Sequence, residues 1–124
     1  MELNIPRTNA TPEIRWDSAS GTLAITGESY PENSFDFYEP VLEWLRHSLP
    51  TLARLRLEVS VSYMNSSSIK CMLDILDAMG EAHAAGAAVE AVWSYETDNP
   101  RALDLAEEFR SEVLFPFVVN PVGG

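Results

Sequence analysis

Residues Asn65-Ser66-Ser67-Ser68-Ile69-Lys70 place three consecutive hydroxyls beside the only lysine of the chain. Ser67 and Lys70 fit the S-x-x-K spacing, in which a serine at a helix start faces a lysine one turn on, the nucleophile arrangement of penicillin-recognising acylases. The companion motifs are missing: one lysine leaves none for K-T-G, and no S-D-N occurs. A small serine hydrolase using Ser67 and Lys70 is therefore an alternative that stands on one short match. The plainer reading makes Lys70 a solvated helix residue or part of a partner contact.

Other groups converge less. His47 and His83 each fall near the end of a helical pattern, where an imidazole suits the helix dipole, and neither stands at metal-ligand spacing from Cys71. Cys71 falls on the outer arc of its helix, opposite Ile69 and Leu73, an accessible thiol with little to activate it. Asp74 and Asp77 are three apart on the exposed side, where carboxylates solvate a helix. No Gly-rich phosphate loop is present. Asn9-Ala10-Thr11 and Asn65-Ser66-Ser67 match glycosylation acceptors, which carry no meaning in a cytoplasmic protein. No catalytic residue, metal or cofactor emerges.

The elements that must position the serines follow from periodicity. EIRWD (13–17) and TLAITGE (22–28) read as a hairpin around Ser18-Ala19-Ser20-Gly21. Phe37, Val41, Trp44 and Leu45 share one helical face, with Asn33 or Ser34 as cap. Pro40 means either a kink in that helix or a short turn before a helix that has Pro40 in its first turn. In 54–64, Leu55, Leu57, Val59, Val61 and Tyr63 alternate with Arg54, Arg56, Glu58, Ser60, Ser62 and Met64, a strand with one buried and one polar face. Such a sheet is covered by helices on one side only. Ile69, Met72, Leu73, Leu76, Met79, Gly80 and His83 form the stripe of a second helix, stopped by Gly86. Val89, Ala91, Trp93 and Tyr95 alternate as a strand. Asn99-Pro100 caps a third helix with Leu103, Ala106, Phe109 and Val113 inward, and FPFVVN (115–120) is a last short strand in which Pro116 suggests an edge or strand-start position. The order β-β-α-β-α-β-α-β predicts a single α/β domain over 1–124 with a mixed sheet.

Composition limits the partners. The 124 residues suit one domain, 46% hydrophobic and 22% charged. Eight Lys and Arg against 19 Asp and Glu leave a net charge of −11. That balance opposes nucleic acid and anionic membranes, and it fits a protein partner with a basic or mixed surface, or simple solubility. No apolar run nears a membrane span, the N-terminus lacks the pattern of a signal peptide, and a lone cysteine suits a reducing cytoplasm.

One small polar residue is enough to cap a helix, and Asn65 or Ser66 does so. The remaining hydroxyls sit at the positive end of a helix, where free N–H groups and the macrodipole favour an anion. A phosphoryl group there would add about −1.5 to −2 charges without opposing the fold and would change what a partner meets.

A domain of this order with a serine at the start of its second helix resembles the STAS domain of anti-sigma factor antagonists, although the usual D-S-S/T-G-L-G is here Asn65-Ser66-Ser67-Ser68-Ile69-Lys70. The chain is more similar to the SiaC family of regulatory phosphoproteins, through SYPENS (29–34), NSSSIK (65–70) with MLDI (72–75), EAH (81–83), LAEEFR (105–110) and FPF (115–117). That resemblance implies a STAS-like fold and a non-enzymatic switch in a partner-switching pathway. A SiaB-like protein kinase would phosphorylate a hydroxyl at the helix start, and a SiaA-like PP2C phosphatase would remove the phosphate. The unphosphorylated form would bind and activate a SiaD-like GGDEF diguanylate cyclase, raising cyclic di-GMP and promoting biofilm formation and aggregation. The family acceptor follows the asparagine and is a threonine in other members. It maps to Ser66, with Ser67 and Ser68 as secondary candidates. Asn65, Ser67, Ser68, Lys70, Cys71 and Asp74, with Tyr30, Glu32 and Asn33 of the SYPENS loop, form the candidate partner surface. The alternative in the same class is an anti-anti-sigma factor acting on a sigma-factor inhibitor.

Overall fold

The structure is a computed structural model that describes residues 2–123. Its hairpin joins β2 (Glu13–Asp17) to β3 (Thr22–Ser29) antiparallel. Asp17 holds the turn by accepting from the Ala19 amide at 3.1 Å and the Ser20 hydroxyl at 2.9 Å. Gly21 takes φ +70°, a left-handed conformation that costs glycine little. A two-residue strand, β1 (Asn4–Ile5), adds to β2 and extends the order expected from the sequence.

Three helical crossovers follow: α1 (Ser34–Ser48) with a 3₁₀ turn at Leu49–Thr51, β4 (Arg54–Met64), α2 (Ser66–Ala84), β5 (Ala88–Glu96), α3 (Pro100–Ser111) and β6 (Phe117–Val122). Among the described residues six strands lie side by side in chain order, with β3 to β6 parallel. Each crossover therefore steps the same way, and the right-handed rule puts all three helices on one face. The expected one-sided cover follows. Leu23, Ile25, Leu55, Leu57, Val59, Ala91 and Trp93 are buried under the helices. On the open face Arg56 pairs with Glu58 at 2.7 Å and Glu90 at 3.5 Å.

The helices start where side chains can cap them. Asn33 accepts from the Asp36 amide at 3.1 Å, and α1 runs unbroken past Pro40, so neither a short turn nor a late start precedes it. Pro40 is exposed, where the carbonyl that loses its partner can bond water. Asn99 accepts from the Ala102 amide at 3.2 Å, and its own amide donates to the Ser62 carbonyl, tying α3 to the end of β4. Gly86, at φ +102°, ends α2 as expected. The last strand begins two residues later than the sequence pattern suggests. Phe115 is already buried in the core and the Pro116 carbonyl accepts from the Ala91 amide, so the chain is anchored before its ladder begins.

Candidate functional site: the start of the second helix

The end of β4 departs from its own alternation. Gly27 pairs with Val61, but Ser29 pairs with Met64, so β4 carries one extra residue at a bulge. A one-residue slip exchanges the faces of everything beyond it. Met64 is buried and Tyr63 is exposed, the reverse of the sequence expectation for both. The flip turns the chain into the junction, where the Asn65 amide donates to the Ser29 carbonyl at 2.9 Å.

Asn65 is the N-cap of α2. Its Oδ1 accepts from the Ser68 amide at 3.0 Å, and its Nδ2 reaches the Pro31 carbonyl at 3.3 Å. The SYPENS loop is therefore strapped across the helix start, with Tyr30, Glu32 and Asn33 exposed along it. The Tyr30 and Tyr63 rings meet edge to face at 6.0 Å.

The three serines separate into different roles. Ser68 is fully buried. Its hydroxyl lies 2.7 Å from Ser29 Oγ and 3.0 Å from Ser34 Oγ, while Ser29 Oγ is 2.6 Å from the Tyr38 hydroxyl. Ser34 donates to Asn65 Oδ1 at 3.3 Å. One sense of donation uses every proton: Tyr38 to Ser29 to Ser68 to Ser34 to the Asn65 carboxamide. This satisfies four buried hydroxyls that would each be costly unpaired. Burial pushes the Tyr38 hydroxyl up to about 12, against a smaller lowering by Ser29, so it stays a neutral donor. Ser67 is half-buried and donates to Ser34 Oγ at 2.7 Å. Ser66 is exposed, and its hydroxyl has no hydrogen-bond partner among the described residues. It occupies the first helical position, and the amides of Ser66 and Ser67 have no acceptor within the helix.

Two expectations change here. Ser68 belongs to the buried relay, so its hydroxyl is not presented at the surface to a partner or a kinase as the sequence reading expected. Cys71 is only 1% exposed rather than accessible on the outer arc. The cause is the same for both: α2 is buried along two flanks, and Ser68, Cys71 and Ile75 extend the buried side toward α1. Burial also pushes the Cys71 thiol up, with the Asp74 charge adding to it and Lys70 opposing, which disfavours the thiolate. Lys70 is exposed and its Nζ donates to Asp74 Oδ1 at 2.7 Å, an i,i+4 pair. With Lys70 held by Asp74 and the Ser67 proton given to Ser34, the S-x-x-K residues do not form a nucleophile–base pair.

A family model described as "SiaC family regulatory phosphoprotein" matches residues 5–122. The chain belongs to the SiaC family. A Pseudomonas aeruginosa (strain UCBPP-PA14) protein described as uncharacterized is 44% identical over 120 residues, covering 96% of this chain and 95% of that protein. The structure of SiaC of Pseudomonas aeruginosa superposes with a TM-score of 0.91 at 41% identity, covering 98% of this chain and 99% of that one. The chain also matches a crystal structure of the diguanylate cyclase SiaD in complex with its activator SiaC from Pseudomonas aeruginosa, with a TM-score of 0.92 at 42% identity over 97% of this chain and 99% of that one. Against this SiaC-family background, sequence reasoning missed Ser34, Tyr38 and Tyr63 as parts of the site. SYPENS carried a partial signal, because Ser29 and Ser34 bracket the strap that the relay holds.

Proposed function

We propose that this protein is a phosphorylation-controlled activator of a diguanylate cyclase. A SiaB-like kinase transfers the γ-phosphoryl group of ATP to Ser66 Oγ, and a SiaA-like PP2C phosphatase hydrolyses it. The unphosphorylated form binds and activates a SiaD-like cyclase and so raises cyclic di-GMP. The observation that carries this reading is the separation of the serines: Ser66 alone among the three is exposed with an uncommitted hydroxyl, at the end of a helix that favours an anion. The family description and the similarity to a SiaC that activates a cyclase support the same reading. The strap residues Tyr30, Glu32 and Asn33, with Asn65, Ser67, Lys70 and Asp74, form the partner surface around Ser66. The protein acts by binding.

The test reconstitutes the switch. The protein is incubated with the kinase and ATP, the modified residue is mapped, and cyclic di-GMP synthesis by the cyclase is followed with each form. Phosphate on Ser66 and loss of activation on modification are expected. Phosphate on any other residue, or equal activation by both forms, counts against the proposal.

A further inference from the structure

We propose that Lys70 receives the phosphate of Ser66 by exchanging its present partner, Asp74. This rests on Ser66 being the modified residue. Ser66, Lys70 and Asp74 are spaced i, i+4, i+8 along α2, so Lys70 has an acidic neighbour one turn away on each side once Ser66 is modified. The existing pair is easily broken. Lys70 and Asp74 side chains are 59% and 34% exposed, and such pairs contribute little to stability.

The rival arrangement is better in three respects. A long helical side chain leans back over the preceding turn, which takes Lys70 toward Ser66. An acid N-terminal to its lysine is the more favourable i,i+4 order, whereas Lys70 and Asp74 have the reverse. A phosphoserine also carries close to twice the charge of a carboxylate. The exchange leaves Asp74 unpaired beside the exposed Asp77, so the outer arc of α2 changes from a closed ion pair to bare carboxylates several residues from the modified atom. A partner that docks over Lys70–Asp74 meets a different surface even where it never touches the phosphate. The other charged residues beside the helix start, Glu32 and Asp36, are acidic, and Asp36 is held by Asn33. Arg7 and Arg101 are the other cations near this end of the sheet: Arg7 lies against Gly27, and Arg101 opens α3.

The test places phosphoserine at position 66 during translation, so it does not depend on any kinase choosing that residue. The phosphate titration is then followed by phosphorus NMR in the full chain and in single variants. With Lys70 as receptor, the titration midpoint rises by about 0.3 of a pH unit in Lys70→Met. It falls below that of the parent protein in Asp74→Asn, where the competitor is gone. Arg7→Gln and Arg101→Gln leave it unchanged. Equal midpoints in the parent and Lys70→Met overturn the assignment, as does a rise confined to either arginine variant. No change in Asp74→Asn overturns the exchange.

Discussion

Ser68 Oγ lies 2.7 Å from Ser29 Oγ, a buried hydroxyl contact that joins the start of α2 to the end of β3 across 39 residues of sequence. It is the middle of a relay whose last acceptor, Asn65, also caps the helix. The same atoms thus fix the helix start, the SYPENS strap and the first turn of α1, and they leave Ser66 standing clear of all three.

The first prediction separates neighbouring serines by stability. Ser68→Ala removes a buried partner from both Ser29 and Ser34 and is expected to cost about 1–3 kcal/mol. Ser66→Ala removes an exposed, unbonded hydroxyl and is expected to stay within about 0.5 kcal/mol of the parent. Urea unfolding of the two variants measures the difference. Similar midpoints would mean the relay contributes nothing.

The cap makes a second, graded prediction. Asn65→Ala loses the bond from the Ser68 amide, the end of the relay and the strap bond to the Pro31 carbonyl. Loss of such a cap costs about 1 kcal/mol, up to 2. Asn65→Asp keeps the acceptor and loses only the donor to Pro31, so its stability should lie between Asn65→Ala and the parent. In amide exchange, Ser68 should exchange faster in Asn65→Ala, which loses its acceptor, and at about the parent rate in Asn65→Asp, which keeps it.

Much of this site is local in origin, and that part is legible in the sequence. The caps Asn33, Asn65 and Asn99 act within three residues, and the alternation of Leu55, Leu57, Val59 and Val61 needs no distant partner. What is not legible depends on contacts between distant segments. The inversion of Tyr63 and Met64 comes from a slip against Gly27 and Ser29, more than thirty residues away. The burial of Cys71 and Ser68 comes from α1 lying along a second flank of α2, which a single-stripe helical pattern does not anticipate. β1 has two residues, too few for any period to register. The SYPENS strap was identifiable as part of the site only through family resemblance, since its role depends on Asn65 reaching Pro31 across the fold.

Tyr38 predicts an alkaline limit to stability. Its hydroxyl is raised from 10.0 to about 12, chiefly by burial, so between those values the unfolded chain loses a proton that the folded chain keeps. The folded state then binds more protons, and stability falls as pH rises. The stabilisation is fully present below about pH 10 and is lost toward pH 12, at up to about 1.4 kcal/mol per unit. The buried Cys71 thiol, also raised, adds a slope of the same sign. The free energy of unfolding, followed over about pH 9 to 11.5, should decline steeply in the parent. In Tyr38→Phe the decline should be shallower, from a lower starting stability because Ser29 loses its donor.

The exposed tyrosines predict where affinity resides. Tyr30 and Tyr63 are 41% and 53% exposed, and their rings meet where the SYPENS strap passes the end of β4. Tyr63 is turned outward only because β4 carries the bulge, so the fold places an aromatic at the surface where its own alternation would bury it. Aromatic residues dominate binding energy when a partner desolvates them, and isolated exposed ones contribute little to folding. Tyr63→Ala is therefore expected to weaken cyclase binding about tenfold or more, equivalent to at least about 1.4 kcal/mol, and Tyr30→Ala to do the same. Neither should change thermal stability appreciably. Because the rings touch, the double variant should lose less than the sum of the two, a coupling that a binding cycle on the cyclase resolves. Unaltered affinity in both single variants would move the partner surface off the strap and onto the outer arc of α2 alone.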